Sequence, residues 1–391
     1  MSATNQAMKE ETNPSYAAGS MHLLIERQAL LKALGHVQSV VERRGTIPVL
    51  GNIKLEAHGE KLTLTGTDMD VALTEKAACS AKKEGAVTVP AHTFYDIVRK
   101  LPEGAEVDIS EKDGARVVIK CGQSKFNLAT LPVDEFPAMN DGEFSHEFTL
   151  ETAECKALIE KPAYAMSTEE TRYYLNGIYL HAAQAEGVDV LRTVATDGHR
   201  LAQTELALPA GAKDMPGVII PRKTIQELRK ILEEGSGEVT ISLSESKIRF
   251  VYEGAVLTSK LIDGNFPDYQ RVIPEGNDKV MEVECKAFST AVDRVSIITS
   301  ERSRAVKLAL DANKLTFSAT SNEQGTATEE IKVSYSSDAM EIGFNSRYML
   351  DMMQQIEGDV AQLFFNDAAS PVLVKDTADA GSLYVIMPMR V

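Results

Sequence analysis

Hydrophobic and polar residues follow two periods along the chain, and the order of these periods repeats three times. Each repeat begins with apolar residues three or four positions apart, as in "ERQALLKALGHVQSV", which is the spacing of an amphipathic helix. Alternation follows, as in "LTLTGTDMDVAL", and indicates half-buried strands. A second helical pattern behind a short strand closes the repeat, as in "VTVPAHTFYDIVRKLPEG". The pattern predicts an α+β domain with two helices that occurs three times.

The two later repeats keep this order over similar lengths. The second contains "ETAECKALIEKPAYAM" and "LRTVATDGHRLAQTEL", and the third contains "VECKAFSTAVDRVSII" and "LTFSATSNEQGTATEEI". Corresponding points at Asp68, Asp197 and Ser321 are 129 and 124 residues apart, which indicates duplicated whole domains and not solenoid repeats of 20 to 50 residues. We therefore predict three similar domains, which span residues 21–143, 144–275 and 276–391. Residues 1–20 are polar, and we interpret them as an expression leader or a disordered tail.

The segment "ATDGHR" lies between two alternating stretches of the second repeat. Asp197 and Gly198 form the Asp-Gly pair that supplies the positive φ angles of a tight hairpin. The matching segments "GTDMDV" and "ATSNEQ" keep the turn but lack the histidine and the arginine. His199 and Arg200 are therefore particular to the middle repeat. His199 can be a general base, a structural histidine or part of a pocket wall, and a cytoplasmic hydrolase that uses His199 is the alternative function.

The charge of the chain is unevenly distributed. The formal net charge is −16, which argues against nucleic acid as a partner. The six predicted helical stretches nevertheless sum to +7, so the remainder carries −23; these stretches are residues 26–44, 90–101, 151–161, 221–232, 286–304 and 345–356. This segregation favours a basic helical surface that can hold a polyanion. The alternative is that these lysines and arginines are only solvated helix faces.

Several other classes of protein are not indicated by the sequence. No apolar run approaches the roughly 18 residues that a membrane span needs. We find neither G-x-S-x-G nor a phosphate-binding glycine loop, and the seven histidines show no metal-ligand spacing. The four cysteines are far apart, which together with the lack of a signal peptide favours a reducing cytoplasm. We therefore predict no catalytic residue, no metal and no cofactor.

The last residues, "LYVIMPMRV", form an apolar strand that runs into two methionines around a proline. This segment can be the last core strand with a frayed end. Methionines near a surface also line grooves that accept several different peptides. Both interpretations remain open from composition.

Several motifs together carry a resemblance that covers residues 21 to 391. The threefold order, "TLTGTDMDVAL", "RYYLNGIYL", "ATDGHRLA", "NFPDYQRVIP", "MEIGFN" and "MPMR" closely resemble the bacterial DNA polymerase III beta subunits, the sliding clamp family. The resemblance implies the DNA clamp fold, with two helices and antiparallel sheets in each of three domains. It also implies a head-to-tail dimeric ring of six domains with helices around the hole. The implied function is a non-catalytic processivity factor in the cytoplasm.

The resemblance also implies partners and site residues. The implied partners are double-stranded DNA without sequence specificity, a second copy of the chain, the polymerase III alpha subunit, the clamp loader delta subunit, and other polymerases and repair proteins that carry short clamp-binding peptides. The implied peptide pocket consists of Leu175, Thr196, Gly198, His199, Arg200, Leu201, Pro267, Arg271, Val272, Asn345, Tyr348, Val385, Ile386, Met387, Pro388, Met389 and Arg390. The implied DNA-facing residues are Arg44, Lys100, Tyr173, Tyr174, Arg222 and Lys223.

For the dimer interface the resemblance implies Phe126 and Leu128 on a strand of the first domain, with Ile297 and Ile298 on a helix of the third domain. Two positions depart from the family pattern. Val391 replaces a terminal leucine, and Ser303 replaces an aromatic residue that is frequent at the pocket rim. We expect these two departures to affect which peptides the pocket prefers, and not whether the pocket exists.

Overall fold

The computed structural model describes residues 21–43, 45–139, 142–233, 235–300 and 304–390. Arg44, Ser303, Val391 and the predicted leader 1–20 lie outside the described residues. The described chain divides into two compact units. The first contains the chain up to residue 142 together with residues 249–259, and the second contains residues 143–248 and 260–391.

Each predicted domain contributes two of the six α-helices found in the described residues. These are α1 (Arg27–Val40), α2 (Ala91–Lys100), α3 (Thr152–Ala163), α4 (Arg222–Leu232), α5 (Cys285–Ser296) and α6 (Ser346–Met353). With these bounds the helices keep the net positive charge predicted from the sequence.

The same kinds of residue precede the corresponding helices of the three repeats. The first helix of every repeat follows a glutamate whose carboxylate accepts backbone N–H groups: Glu26 from Ala29, Glu151 within a capping box, and Glu284 from Lys286 and Ala287. These contacts satisfy donors that the first turn of a helix leaves unpaired. The second helix follows Pro90, Pro221 or Asn345.

Helices α1 and α5 end at least four residues before the ends of the stretches predicted for them. The predicted stretch 26–44 ends at Val40, because Val41 adopts an extended backbone conformation. The predicted stretch 286–304 ends at Ser296. There the hydroxyl of Ser296 donates to the Asp293 carbonyl, and the hydroxyl of Thr299 donates to the Ser296 carbonyl. Such hydroxyl bonds compete with the regular helix ladder. Ile297 and Ile298 therefore follow α5 and are not part of it.

The strands are short and pair with antiparallel neighbours. In chain order they are β1 (His22–Glu26), β2 (Asn52–His58), β3 (Lys61–Thr67), β4 (Val71–Ala78), β5 (Ser80–Lys83), β6 (Gly85–Pro90), β7 (Glu106–Lys112), β8 (Arg116–Cys121), β9 (Ser124–Ala129), β10 (His146–Glu151), β11 (Gly177–Ala185), β12 (Val188–Thr196), β13 (Arg200–Ala207), β14 (Val218–Pro221), β15 (Glu238–Leu243), β16 (Lys247–Tyr252), β17 (Ala255–Lys260), β18 (Lys279–Glu284), β19 (Ala305–Asp311), β20 (Lys314–Ser321), β21 (Gly325–Lys332), β22 (Ser334–Tyr335), β23 (Met340–Asn345), β24 (Val360–Phe365), β25 (Val372–Asp376) and β26 (Ser382–Ile386).

In the first unit the strands form one sheet in the order β5-β1-β7-β8-β9 and a second sheet with the order β17-β4-β3-β2-β6. The second unit contains a nine-stranded sheet, β14-β11-β12-β13-β26-β25-β24-β18-β22, and a four-stranded sheet, β21-β20-β19-β23. In the nine-stranded sheet, β13 pairs with β26 from Arg200 opposite Ile386 to Thr204 opposite Ser382. This sheet therefore joins strands of the second and third predicted domains.

The nine-stranded sheet has two differently covered faces. Helix α3 packs against β11, β12 and β13 on one of them, which we call the helix face, and Leu158 and Ile159 of α3 are buried. Burial of each such side chain contributes about 1.5–3 kcal/mol. On the other face Val194, Leu201 and Val385 form a cluster with Tyr269 of the segment 261–275. We call that segment the linker and this face the linker face.

Among the described residues no helix is long and apolar enough to cross a membrane. The four cysteines are all free thiols.

Candidate functional site

The turn between β12 and β13 is held by its own side chains. The Thr196 hydroxyl donates to the Arg200 carbonyl at 2.7 Å and accepts from the Gly198 N–H at 3.1 Å. One carboxylate oxygen of Asp197 accepts from the backbone N–H groups of His199 and Arg200. Gly198 has a φ of +89°, and a β-carbon there would lie 2.8 Å from a guanidinium nitrogen of Arg172. The predicted positive φ is thus correct for Gly198 only, because Asp197 acts as an acceptor instead.

Arg200 connects this turn to helix α6. Its guanidinium donates to Asp197 at 3.0 Å and to Asp351 at 2.6 Å. It also lies over the rings of Tyr348 and Tyr164, 4.4 and 5.0 Å from the centroids. The side chain is only 11% exposed. Burial acts to lower the pKa of Arg200, but the Asp351 hydrogen bond and the two carboxylate charges raise it overall. Arg200 therefore holds the turn as a permanent cation.

His199 is exposed at the tip of the turn. Its ring stacks on Tyr348 with a centroid distance of 6.1 Å and an angle of 22°. Asp197 bonds to the backbone of His199 and to the Arg200 guanidinium, so it does not orient the imidazole as an acid–base pair requires. The described residues contain no group of three or more metal-ligating side chains. The geometry favours the pocket-wall interpretation of His199 over the hydrolase alternative.

The chain end is fastened to the same turn. Beyond β26, the Met387 N–H donates to the His199 carbonyl at 2.9 Å, and the Met389 N–H donates to the Gly343 carbonyl at 2.8 Å. Met389 and Gly343 form an isolated antiparallel bridge. Residues 387–390, which we call the C-terminal tail, thus run from the turn to β23. Met387 remains 36% exposed.

The predicted pocket residues separate into a buried floor and an exposed rim. The floor residues are Leu175, Thr196, Leu201, Val385 and Ile386. The exposed residues are Gly198, His199, Pro267, Arg271, Val272, Met387 and Arg390. The half-buried residues are Arg200, Asn345, Tyr348, Pro388 and Met389.

The buried strand residues of the predicted pocket lie on both faces of the sheet. Neighbouring strand residues point to opposite faces, so Val385 and Ile386 point away from each other. Leu201 and Val385 lie opposite each other on the linker face, where Tyr269 packs on them. These two side chains therefore form a buried base beneath the exposed residues of the predicted pocket.

The predicted DNA-facing residues occupy different environments. Lys100 is the exposed last residue of α2. Tyr173 is 53% exposed and meets Tyr174 edge-to-face at 5.8 Å. Lys223 is half-buried in the first turn of α4.

Arg222 makes hydrogen bonds to the chain itself. Its guanidinium donates to the carbonyls of Met166 and Ser167 at 2.8 and 2.6 Å. Burial, followed by the charge of Arg200, lowers the pKa of Arg222. These bonds fix the loop behind α3, so the geometry favours a structural role over a phosphate contact.

The sheet edges bear on the predicted dimer residues. Phe126 and Leu128 alternate along β9, which is an edge strand. The counterparts of β9 in the later repeats each have a second neighbour, which belongs to the preceding repeat: β17 pairs with β4, and β26 pairs with β13. The strand of the third repeat that corresponds to β4 and β13 is β21, and it is also an edge strand. Ile297 is 72% exposed just beyond α5, and Ile298 is half-buried.

Sequence reasoning missed several residues that build the site. Asp351 pairs with Arg200 from 151 residues away. Lys161 of α3 donates to Asp379 at 2.6 Å and contacts Glu357 at 2.9 Å, which is a second ionic link between the second and third predicted domains. No local pattern could have revealed either pair. Tyr269 lies within the motif "NFPDYQRVIP". An aromatic residue between polar neighbours in this segment could have indicated a buried side chain.

Comparisons with known proteins match the whole described chain. Family models for the N-terminal, central and C-terminal domains of the DNA polymerase III beta subunit match residues 21–140, 149–268 and 270–390. The beta sliding clamp of Caulobacter vibrioides is 50% identical over 372 residues, which is 95% of this chain and 100% of the relative. That of Escherichia coli is 40% identical over 373 residues with the same coverage.

A solved structure agrees with these matches. The sliding clamp of Bartonella birtlesii bound to griselimycin superposes with a TM-score of 0.92 at 47% identity, and the match covers 95% of this chain and 100% of that one. The chain therefore belongs to the DNA polymerase III beta subunit family, the bacterial beta sliding clamps, which are non-catalytic processivity factors of the replicative polymerase.

Proposed function

We propose that two copies of this chain close head to tail into a ring around duplex DNA. The observation that carries the proposal is the pairing rule along the chain: the last strand of each later repeat adds to a hairpin of the repeat before it. Within the described residues the rule leaves β9 and β21 with a neighbour on one side only. Unpaired edges are templates for pairing with another chain, and pairing of β9 with β21 of a second copy satisfies both. Phe126, Leu128, Ile297 and Ile298 would add apolar contacts there.

The ring holds DNA through weak contacts that carry no sequence information. The helices concentrate positive charge in an otherwise acidic chain, and phosphate contacts from lysine and arginine weaken with salt without reading bases. Lys100, Lys223, Tyr173 and Tyr174 are the candidate contacts within the described residues. Arg44 is a further candidate outside them.

The turn, the tail and the linker bind short apolar peptides of partner proteins. The exposed rim of His199, Val272 and Met387 surrounds a rigid base, which is the arrangement that a peptide with apolar anchor residues requires. We assign the polymerase III alpha subunit, the clamp loader delta subunit, and other polymerases and repair proteins to this pocket. Griselimycin, which the Bartonella clamp binds, is a candidate small ligand.

Tethering then gives processivity without chemistry. A polymerase that is linked to the ring by a short flexible segment meets the primer end at an effective concentration of about millimolar. The protein acts in the cytoplasm, where the bacterial chromosome is replicated.

Retention on DNA tests the proposal. The protein is loaded with a clamp loader onto a nicked circular plasmid, and the bound fraction is followed after one double-strand cut. We expect slow loss from the closed circle and loss within seconds to minutes after linearisation, because a ring can slide off free ends. Equal loss from both forms would contradict encirclement.

A further inference from the structure

The hydroxyl group of Tyr269 in the linker makes hydrogen bonds to two strands of the nine-stranded sheet. Arg192 donates from Nη1 to the Tyr269 oxygen at 3.1 Å, and the same hydroxyl lies 3.0 Å from Nε2 of His181. The other ring nitrogen of His181 lies 2.9 Å from the Ala182 carbonyl. A carbonyl can only accept, so Nδ1 carries the proton and Nε2 accepts the proton of Tyr269. Arg192 therefore donates to Tyr269, Tyr269 donates to His181, and His181 donates to the Ala182 carbonyl. We call this chain of hydrogen bonds the relay.

The relay is held in a single protonation state. Burial, helped by the charge of Arg192, lowers the pKa of His181 and keeps its ring neutral. Arg192 is only 8% exposed, and Glu205 accepts from its Nε at 2.7 Å. These residues lie on the adjacent central strands β11, β12 and β13, which makes the base of the relay rigid.

Aromatic packing completes the attachment. Phe266 of the linker stacks on Tyr179 with centroids 4.9 Å apart and planes at 8°. Tyr269 is 6% exposed, yet Val272 in the same segment is 43% exposed and the side chain of Arg271 is 84% exposed. Tyr269 is thus a buried pin inside a segment whose neighbouring residues face outward.

We propose that Tyr269 is a positioning residue for peptide binding. Its hydroxyl, held between Arg192 and His181, fixes the linker so that Pro267 and Val272 stand at the pocket rim. This inference rests on the proposed peptide pocket. Tyr269 itself is covered and does not touch the peptide.

The substitution Tyr269→Phe tests the inference, because it keeps the ring and removes only the relay. Tyr252→Phe is the matched control: Tyr252 is 3% exposed, and its hydroxyl has no hydrogen-bond partner within the described part of the chain. The probe is a fluorescein-labelled peptide copied from the clamp-binding segment of the polymerase III alpha subunit, followed by anisotropy on the full-length protein.

We expect Tyr269→Phe to raise the peptide Kd about 5- to 20-fold, mainly through faster dissociation, and Tyr252→Phe to leave it unchanged. Deuterium uptake should increase in residues 265–273 of the Tyr269→Phe protein only. Wild-type affinity with wild-type linker exchange in that variant overturns the inference. If the unmodified protein fails to bind the peptide, the proposed pocket itself is wrong.

A pH profile separates positioning from a general loss of stability. Protonated His181 places a second donor on the Tyr269 hydroxyl, next to the Arg192 cation. The other titratable groups here are Glu205 on β13, which pairs with Arg192, and Tyr179, which stacks on His181 from the same strand, β11. The wild-type peptide Kd should therefore rise as the pH falls through the lowered pKa of His181. Tyr269→Phe should lack this step, and since His199 is present in both proteins, only the difference between the two profiles counts. Identical profiles overturn the inference.

Discussion

The turn of residues 67–71 in the first repeat and the turn of residues 196–200 in the second share one hydrogen-bond skeleton. In the first, the Thr67 hydroxyl donates to the carbonyl of the fifth residue and accepts from the N–H of the third. The Asp68 carboxylate accepts from the fourth and fifth N–H groups. In the second turn, Thr196 and Asp197 make the same four bonds.

The two turns differ in the side chains that the skeleton presents. The matched positions are Met69 and Gly198, Asp70 and His199, and Val71 and Arg200. Val71 is buried, whereas Arg200 reaches Asp351 of α6. The backbone is therefore a repeated scaffold, and the turn at the proposed peptide site differs from its counterpart in the three side chains that this scaffold presents.

Removal of Arg200 should have the largest effect. Arg200→Met leaves Asp197 and Asp351 close together without their shared cation, and we expect the free energy of unfolding to fall by about 3 kcal/mol. Peptide affinity should fall at least 100-fold, because the turn loses its link to α6. Urea unfolding and peptide anisotropy measure the two effects. The double variant Arg200→Met/Asp351→Asn should recover part of the stability, and additive losses would contradict direct pairing.

The second ionic link should contribute less, since Glu357 is 64% exposed. We expect Lys161→Met to lower the free energy of unfolding by about 2 kcal/mol at neutral pH. Burial would raise the pKa of Asp379, but hydrogen bonds led by that from Lys161 hold it below its ordinary 3.8. The stabilisation is present above that value, so the gap between wild type and variant should narrow as the pH falls below about 3.8. A gap that is constant down to pH 2 would exclude this pair as its source.

Exchanging the third residues of the two turns tests whether backbone conformation determines which residue each position favours. Gly198→Met places a side chain at a φ of +89° against Arg172, which should cost about 2 kcal/mol and weaken peptide binding. Met69 already has a φ of 77°, so Met69→Gly should raise the free energy of unfolding by up to about 1 kcal/mol. Thermal midpoints measure both changes. Opposite signs would show that backbone conformation does not govern these positions.

Removal of the His199 ring should have the smallest effect. His199→Ala loses the stacking on Tyr348, which is worth about 0.5–1.5 kcal/mol. We expect a 3- to 10-fold weaker peptide Kd and a small fall in the unfolding midpoint, with no change of affinity in the matched Asp70→Ala variant. Since the family is non-catalytic, the hydrolase alternative is wrong, and no hydrolytic activity should depend on His199.

Local patterns predicted much of the fold. The two helices of each repeat and the hairpin at residues 196–200 follow from periodicity and turn chemistry within short windows. The charge separation was also visible, because it required only the positions of the helices.

The remaining features depend on contacts between distant residues. The Arg200–Asp351 and Lys161–Asp379 pairs join residues 151 and 218 positions apart. The role of Arg222 depends on the carbonyls that the fold brings to it. The end of α5 is a local exception, because it depends on the hydroxyl bonds of Ser296 and Thr299, which apolar periodicity does not report. None of these leaves a periodic trace in the sequence.

Primer extension on a circular single-stranded template measures encirclement and tethering in one experiment. The wild-type protein is loaded first, an excess of the free clamp-binding peptide or of a scrambled peptide is then added with the polymerase, and both DNA retention and product length are measured. We expect the protein to stay on the closed circle with either peptide, while products made with the clamp-binding peptide are no longer than those made without a clamp. Long products in the presence of the clamp-binding peptide, or escape of the protein from an intact circle as fast as from a cut one, would contradict encirclement with tethering at the pocket.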